Sequence, residues 1–329
     1  MGELEISNRH PLAPKKGSFK ISKKLQELMC LVGQSQVFED GEELFTKMMD
    51  IKVSGMQIQR VSECYGEHVE AVHQLYIEEG ESAPNIADTK DDTVYMMADG
   101  CMVFTREEGW KEMKVGRVFA AKDNVQVQEK RNEIVKSQYV CHLGNHQEFL
   151  KKFECYVDDY KKKICIADGA KWIWNWVEDK YPEMIQILDY FHCKEYLCQF
   201  AQLVFNNKPQ CEQWIKQQEG LLLSDKVSEV ISTIHAWSGL NGEAADYQQK
   251  IITYYQNNRT RMFYGTYKEK GLLIGSGPIE SANRNIVQQR LKLSGQKWTI
   301  KGAQRVVNLR VYQKSNRWGE VVEIIKMAA

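Results

Sequence analysis

Thr93-Val94-Tyr95-Met96-Met97-Ala98-Asp99-Gly100 and Lys163-Ile164-Cys165-Ile166-Ala167-Asp168-Gly169 decide how this chain is read. Each is a short apolar run that closes on Ala-Asp-Gly, the pattern of a buried strand stopped by a turn dipeptide. Residues 101–105 continue the first run, 111–121 form a second extended segment entered through Glu107-Glu108-Gly109, and 137–143 form a third. Residues 147–160 then take helical spacing through Phe149, Leu150, Phe153, Tyr156 and Val157. After the second Asp-Gly come a helix at 172–181, a fifth strand at 184–188 and a helix at 191–205. The order β-β-β-α-β-α-β-α predicts a meander followed by βαβ crossovers: an α/β fold with a mixed five-stranded sheet and flanking helices.

Outward from this centre the periodicity is helical. Residues 1–18 are polar and read as an arm; Leu25, Leu28 and Met29, then Phe38, Leu44, Phe45 and Met48, then Met56, Ile58 and Val61 recur at helical spacing. Ser54-Gly55-Met56-Gln57 has the form of a capping box and predicts a helix start. Residues 1–85 therefore read as an arm plus a helix-turn-helix-like unit; a plain helical bundle or dimerisation unit fits equally, because the second helix offers only Arg60 as a basic reader. Residues 79–92 read as a linker. Residues 90–205 with 275–329 make one domain, interrupted by a helical insertion at 206–274. Gly275-Ser276-Gly277-Pro278 opens a helix that runs to about residue 292, and a last helical stretch begins at Thr299.

The 329 residues carry 44 basic and 44 acidic side chains, a formal net charge of zero. Residues 259–329, however, hold fourteen Lys and Arg against four acids, which makes that segment +10 and the rest −10. A split of this size points to nucleic acid where the average does not. No run of 18 apolar residues is present, so no membrane partner is expected, and the first twenty residues lack a secretory core. Nine scattered cysteines without a Cys-x-x-Cys pair read as reduced thiols of a cytoplasmic protein. Cys141, His142 and His146 lie close together but lack a second ligand pair, so no structural metal is expected.

Asp99 and Asp168 occupy matching slots, each at a strand end with Ala before and Gly after. Each alone is a turn residue by default. On neighbouring strands they would face each other in the crevice beyond the sheet, where two carboxylates repel unless a cation lies between them. Hard oxygen donors suit Mg²⁺ or Mn²⁺. Glu280, in the first turn after Gly-Ser-Gly-Pro, is the third candidate; a simple dipole-favoured acid there is the plainer alternative. It is the single acid between Glu269 and Glu320, among Arg284, Arg290, Lys292, Lys297, Lys301, Arg305 and Arg310. Cations for a phosphate backbone with one acid for a metal suit phosphodiester chemistry. Trp172, Trp174 and Trp176 read mainly as core, and Trp298, between Lys297 and Lys301, as a DNA contact or a packing residue.

Met97-Ala98-Asp99-Gly100, Trp110 through Gly116, Ile166 through Trp174, Ile187-Leu188-Asp189-Tyr190-Phe191-His192, Ile274 through Ser281, Arg290-Leu291-Lys292 and Gly295 through Trp298 together resemble bacterial insertion-sequence transposases of the Kra type. The resemblance covers roughly residues 90–318. It implies an RNase H-like catalytic domain with Asp99, Asp168 and Glu280 as an Asp-Asp-Glu triad holding two Mg²⁺ or Mn²⁺ ions. Such ions activate water, stabilise the leaving 3′-oxygen, and serve again when the 3′-hydroxyl attacks target DNA. It further implies that Asp189 and His192 match an Asp/Cys-x-x-His element that steadies the site or the DNA, with a buried structural pair as the alternative. Arg284, Arg290, Lys292, Lys297, Trp298 and Lys301 would bind DNA. The implied partners are the terminal inverted repeats, target DNA and further copies of the chain, in a bacterial cytoplasm. Relatives of this type usually carry a Cys-rich zinc-binding segment ahead of the helix-turn-helix, which is not seen here; an inactive DNA-binding remnant and a stand-alone RNase H-like nuclease are the rival readings.

Overall fold

A strand that is apolar on both faces needs helices on both sides, and the sequence supplies helices after the third, fourth and fifth of the predicted strands. The computed structural model describes residues 19–79, 86–129 and 131–328. Its strands are β1 (Thr93–Thr105), β2 (Gly109–Ala120), β3 (Asn124–Gln128), β4 (Arg131–Ile134), β5 (Gln138–Leu143), β6 (Lys162–Ala167) and β7 (Ile185–Leu188). Five of them form a mixed sheet in the order β5-β2-β1-β6-β7, and β3 pairs with β4 in a separate hairpin. β5, β2 and β1 are antiparallel, whereas β1, β6 and β7 are parallel. The chain is thus α/β with the expected meander and crossovers. The hairpin was not expected: its residues are largely exposed and carry no burial pattern.

Helices α1 (Lys23–Gly33), α2 (Phe38–Met49) and α3 (Gly55–Glu79) precede the sheet. The capping box forms as read: Gln57 N–H donates to Ser54 Oγ at 3.2 Å, and Ser54 N–H donates to Gln57 Oε1 at 3.0 Å. α4 (His146–Glu154), α5 (Lys171–Lys180) and α6 (Tyr190–Val204) follow β5, β6 and β7. Residues 206–274 are helical, in α7 (Lys208–Leu222), α8 (Val227–His235), α9 (Glu243–Asn258) and α10 (Tyr264–Glu269). The chain then runs through α11 (Gly277–Ala282), a π-helical turn at Asn283–Gln288, α12 (Gln289–Leu291), α13 (Ile300–Lys314) and α14 (Trp318–Met327). The arm at 1–18 and residues 80–85 of the linker lie outside the described residues.

α3 lies against α13, and a single apolar cluster runs from Met29 and Tyr65 through the sheet to Val307. The crossing is close: a Cβ on Gly66 would stand 2.1 Å from the carbonyl oxygen of Arg305. On the sheet, Phe149 and Phe153 of α4 are fully buried, and a Cβ on Gly116 would lie 2.6 Å from the Phe153 ring. Each ring contributes roughly 2–3 kcal/mol of burial, which that single methyl would disturb. Trp174 and Trp176 are both buried, in line with the reading of the three tryptophans as mainly core, although helical spacing alone sets the two on different faces.

The structure corrects one boundary. Asp99 does not end its strand; β1 continues to Thr105, pairing with β2 as far as Gly109. The reason is alternation: Cys101, Val103 and Thr105 are buried and Met102 is exposed, so the strand keeps one apolar face after the Asp-Gly pair. What ends near Asp99 is the pairing with β6, whose last partners are Met97 and Ile166.

Candidate active site

Asp99 and Asp168 each stand two residues beyond the Met97–Ile166 pair, in register on neighbouring parallel strands. Asp99 accepts the Gly100 N–H at 2.7 Å and an Nδ2–H of Asn283. Burial first, and then the charge of Asp168, push its carboxyl up to about 6 against the opposing pull of Gly100 and His192. Asp168 accepts the Ala170 N–H at 2.9 Å, and its backbone oxygen takes the Trp174 Nε1–H at 2.6 Å, which ties the loop to α5.

The end of β7 supplies the next pair. Asp189 caps α6 and is fully buried. Its carboxylate accepts Phe191 N–H at 3.1 Å, His192 N–H at 3.3 Å, His192 Nδ1–H at 2.7 Å and Ser276 N–H at 3.1 Å. Burial pushes this carboxyl up, but the donors, led by His192 and Ser276, outweigh it and hold Asp189 below the usual range. The same bond raises His192 to about 9, with the Asp189 and Asp168 charges adding to it, so His192 is a cation at neutral pH.

Glu280 arrives from the other end of the chain. Two contacts hold the segment before it: Tyr190 N–H donates to the Ile274 oxygen at 2.9 Å, and buried Arg117 donates to the Pro278 oxygen at 2.8 Å. Ser276 Oγ stands 2.9 Å from Asp189 and 3.1 Å from Glu280, one hydroxyl shared by two acids. Asn283, one turn after Glu280 in the π-helical segment, reaches Asp99. The five acid and histidine positions singled out from the sequence therefore gather at one end of the sheet.

Their grouping differs from a simple triad. Among the described residues, the set of three whose ligand atoms lie within 4.8 Å of one another is Asp189, His192 and Glu280, not Asp99, Asp168 and Glu280. Asp189 has its lone pairs occupied by protein donors, so it orients His192 and Ser276. Asp99 and Asp168, in contrast, have spare oxygen lone pairs and no Lys or Arg bonded to them among the described residues. That donor chemistry fits a hard divalent cation.

The expected DNA contacts divide. Arg284, Lys292, Lys297 and Lys301 are exposed and make no ion pair among the described residues. Arg290 and Trp298 are corrected: they are 0% and 7% exposed, with the Arg290 guanidinium held between the Phe38 and Trp298 rings at 4.7 Å from each centroid. Neither forms part of an open DNA-facing surface, because burying those two rings against α2 buries the cation between them. Asn283, Ser276 and Arg117 were not singled out from the sequence. Ser276 lay in a quoted motif and Asn283 lies one turn from Glu280, but Arg117 gave no local signal.

A groove of about 790 Å³ opens beside Asp168, lined by Gly169, Lys171, Trp174, Lys250, Tyr254 and Arg261. No helix among the described residues is long and apolar enough to cross a membrane. Comparison of the chain with protein-family models finds no match, and comparison with curated proteins finds none.

Proposed function

We propose that this chain is a DNA transposase with an RNase H-like fold, cutting phosphodiester bonds at transposon ends and joining them to target DNA. The observation that carries the reading is the pair Asp99 and Asp168: two carboxylates in register past the last β1–β6 pair, one raised in part by the other, with no protein cation bonded to either among the described residues. The strand order and the crevice beyond parallel strands support the same fold and location.

Asp99 and Asp168 would hold Mg²⁺ or Mn²⁺, with Glu280 as the third carboxylate. Bound there, the ions supply charge neutralisation and an activated oxygen nucleophile. The chain's own groups do the rest. Asn283 fixes the orientation of Asp99. His192, kept protonated by Asp189, offers a cationic donor to a phosphate oxygen. The groove beside Asp168 is of a size to take a nucleotide strand, with the exposed Lys171 and Lys250 along it. The exposed Arg284, Lys292, Lys297 and Lys301 hold backbone phosphates nearby. Terminal repeats, target DNA and a second copy of the chain are the partners of this reading.

The test is Mg²⁺-dependent nicking and strand transfer with labelled element ends, using Asp99→Asn, Asp168→Asn and Glu280→Gln. Each is expected to lower nicking about a thousand-fold, the several kcal/mol that metal-assisted charge stabilisation supplies. Activity near wild type in any one removes that residue from the metal-binding set. A protein that degrades RNA–DNA hybrids without joining ends is a nuclease instead.

A further inference from the structure

Arg290 is a buried cation whose partners are incomplete. Its Nε–H donates to the Gly33 oxygen at 3.0 Å, but Nη1 and Nη2 have no acceptor, and no carboxylate pairs with it among the described residues. An uncompensated guanidinium in a core is costly, and two aromatic faces offset only part of that cost. Burial lowers its pKa to about 10, so it keeps its charge at neutral pH.

Arg290 also lines a cavity of about 250 Å³ between α2, the β1–β2 turn and residues 295–299. Arg106 and Lys297 stand on the same wall, both exposed and without a carboxylate partner among the described residues; Arg106 is fixed there by a 3.0 Å hydrogen bond from Nε to the Lys297 oxygen. Trp298 Nε1, a donor, and Gln296 Oε1, an acceptor, are likewise buried and unpartnered. Two acids share the rim. Glu63 is engaged by Arg305 at 4.0 Å, which leaves Glu39 against three cations.

We propose that this cavity binds a terminal phosphoryl group. A planar guanidinium with two free nitrogens matches the paired oxygens of a phosphate, an indole N–H adds a donor, and an amide oxygen accepts from a protonated phosphate oxygen. Arg290 lines the cavity but has no exposed surface, so a continuous duplex backbone does not reach it; a phosphate entering end-on pairs with its nitrogens only as the cavity wall gives way. The occupant is either the 5′-phosphate of a DNA strand or free inorganic phosphate. The first source rests on the DNA-processing reading; the pocket itself does not.

The test is binding in EDTA, so that the acid end of the sheet holds no metal, measured with inorganic phosphate and with short single-stranded oligonucleotides bearing a 5′-phosphate or a 5′-hydroxyl. A 5′-phosphate is expected to tighten binding about ten-fold, inorganic phosphate is expected to compete, and Arg290→Met is expected to erase the difference. The exposed pair Arg106→Ala with Lys297→Ala, which leaves the core intact, is expected to weaken phosphate binding several-fold. Binding of inorganic phosphate that needs Arg290, without any preference among oligonucleotides, supports the pocket and assigns it to free phosphate. Equal affinities for the two oligonucleotides with no phosphate binding overturn the proposal, as does phosphate binding unchanged in Arg290→Met. Asp99→Asn is expected to lose nicking yet keep the 5′-phosphate preference, so failure of the catalytic reading and failure of the pocket are separately visible.

Discussion

Asp189 and Arg290 are both charges with no exposed surface, one beneath the acid end of the sheet and the other in the seam between α2 and the C-terminal segment. Asp189 is surrounded by donors from α6 and from Ser276, and its carboxyl is held low. Arg290 has one acceptor and two idle nitrogens. The first is architecture: its charge is consumed in joining β7 to the strand-free segment that carries Glu280. The second retains unspent hydrogen-bonding capacity, which is what a binding group needs. Arg310 makes the same point within one residue type, since its guanidinium is buried but donates to the Gln34 and Asn285 oxygens. Burial of a charge therefore says little about its role until its partners are counted.

The sharpest way to break this comparison is Asp189→Ala. It strips five donors of their acceptor and leaves His192 without its counter-charge, so a loss of about 3–5 kcal/mol is expected in urea unfolding. A loss under about 1 kcal/mol would show Asp189 to be dispensable to the fold. Next is the arginine pair: Arg310→Met is expected to cost about 2–3 kcal/mol because buried carbonyls lose their donors, whereas Arg290→Met is expected to stay within about 1 kcal/mol of wild type. Equal losses in the two would remove the distinction.

Asp99 is expected to behave in the opposite sense. Its folded carboxyl is raised to about 6 from an ordinary value of 3.8, so the ionised form is disfavoured by folding. The penalty is absent below about pH 3.8 and complete above about pH 6. Asp99→Asn in EDTA should therefore be more stable than wild type by about 2 kcal/mol at pH 8, with the gain fading as the pH falls. A gain independent of pH would mean that the carboxylate charge is not its cause.

The smallest effect concerns His192, raised from 6.5 to about 9 by Asp189. Its contribution is complete below about pH 6.5 and lost as the pH rises through 9. Because its side chain is 40% exposed, screening reduces the contribution to about 1 kcal/mol. His192→Gln should flatten that part of the stability profile, measured in EDTA between pH 6 and 10.

Much of this was legible in the chain. The capping box at Ser54 and Gln57 is a four-residue pattern, and local patterns survive into the fold because the partners are neighbours. The strand slots of Asp99 and Asp168 were readable for the same reason. The continuation of β1 to Thr105 was legible as well, but the Asp99-Gly100 pair reads locally as a strand end, and pairing with β2 is what carries the strand through it unbroken. The charge split was legible too, but not its use. Of the fourteen C-terminal cations, Arg261, Arg305, Arg317 and Lys326 are paired with acids and Arg290 and Arg310 are buried, which leaves eight to face a ligand.

By itself the sequence determined the order of strands and helices, the two Asp-Gly positions and the basic bias of the last segment, since hydrophobic period, turn chemistry and charge are properties of neighbours. Only the tertiary structure decided that Asp189 holds Ser276, that Asn283 serves Asp99, and that Arg290 lies against Phe38. Those contacts join residues that the chain keeps far apart, and a hydrogen bond or a cation over a ring exists only where folding brings both partners to one place.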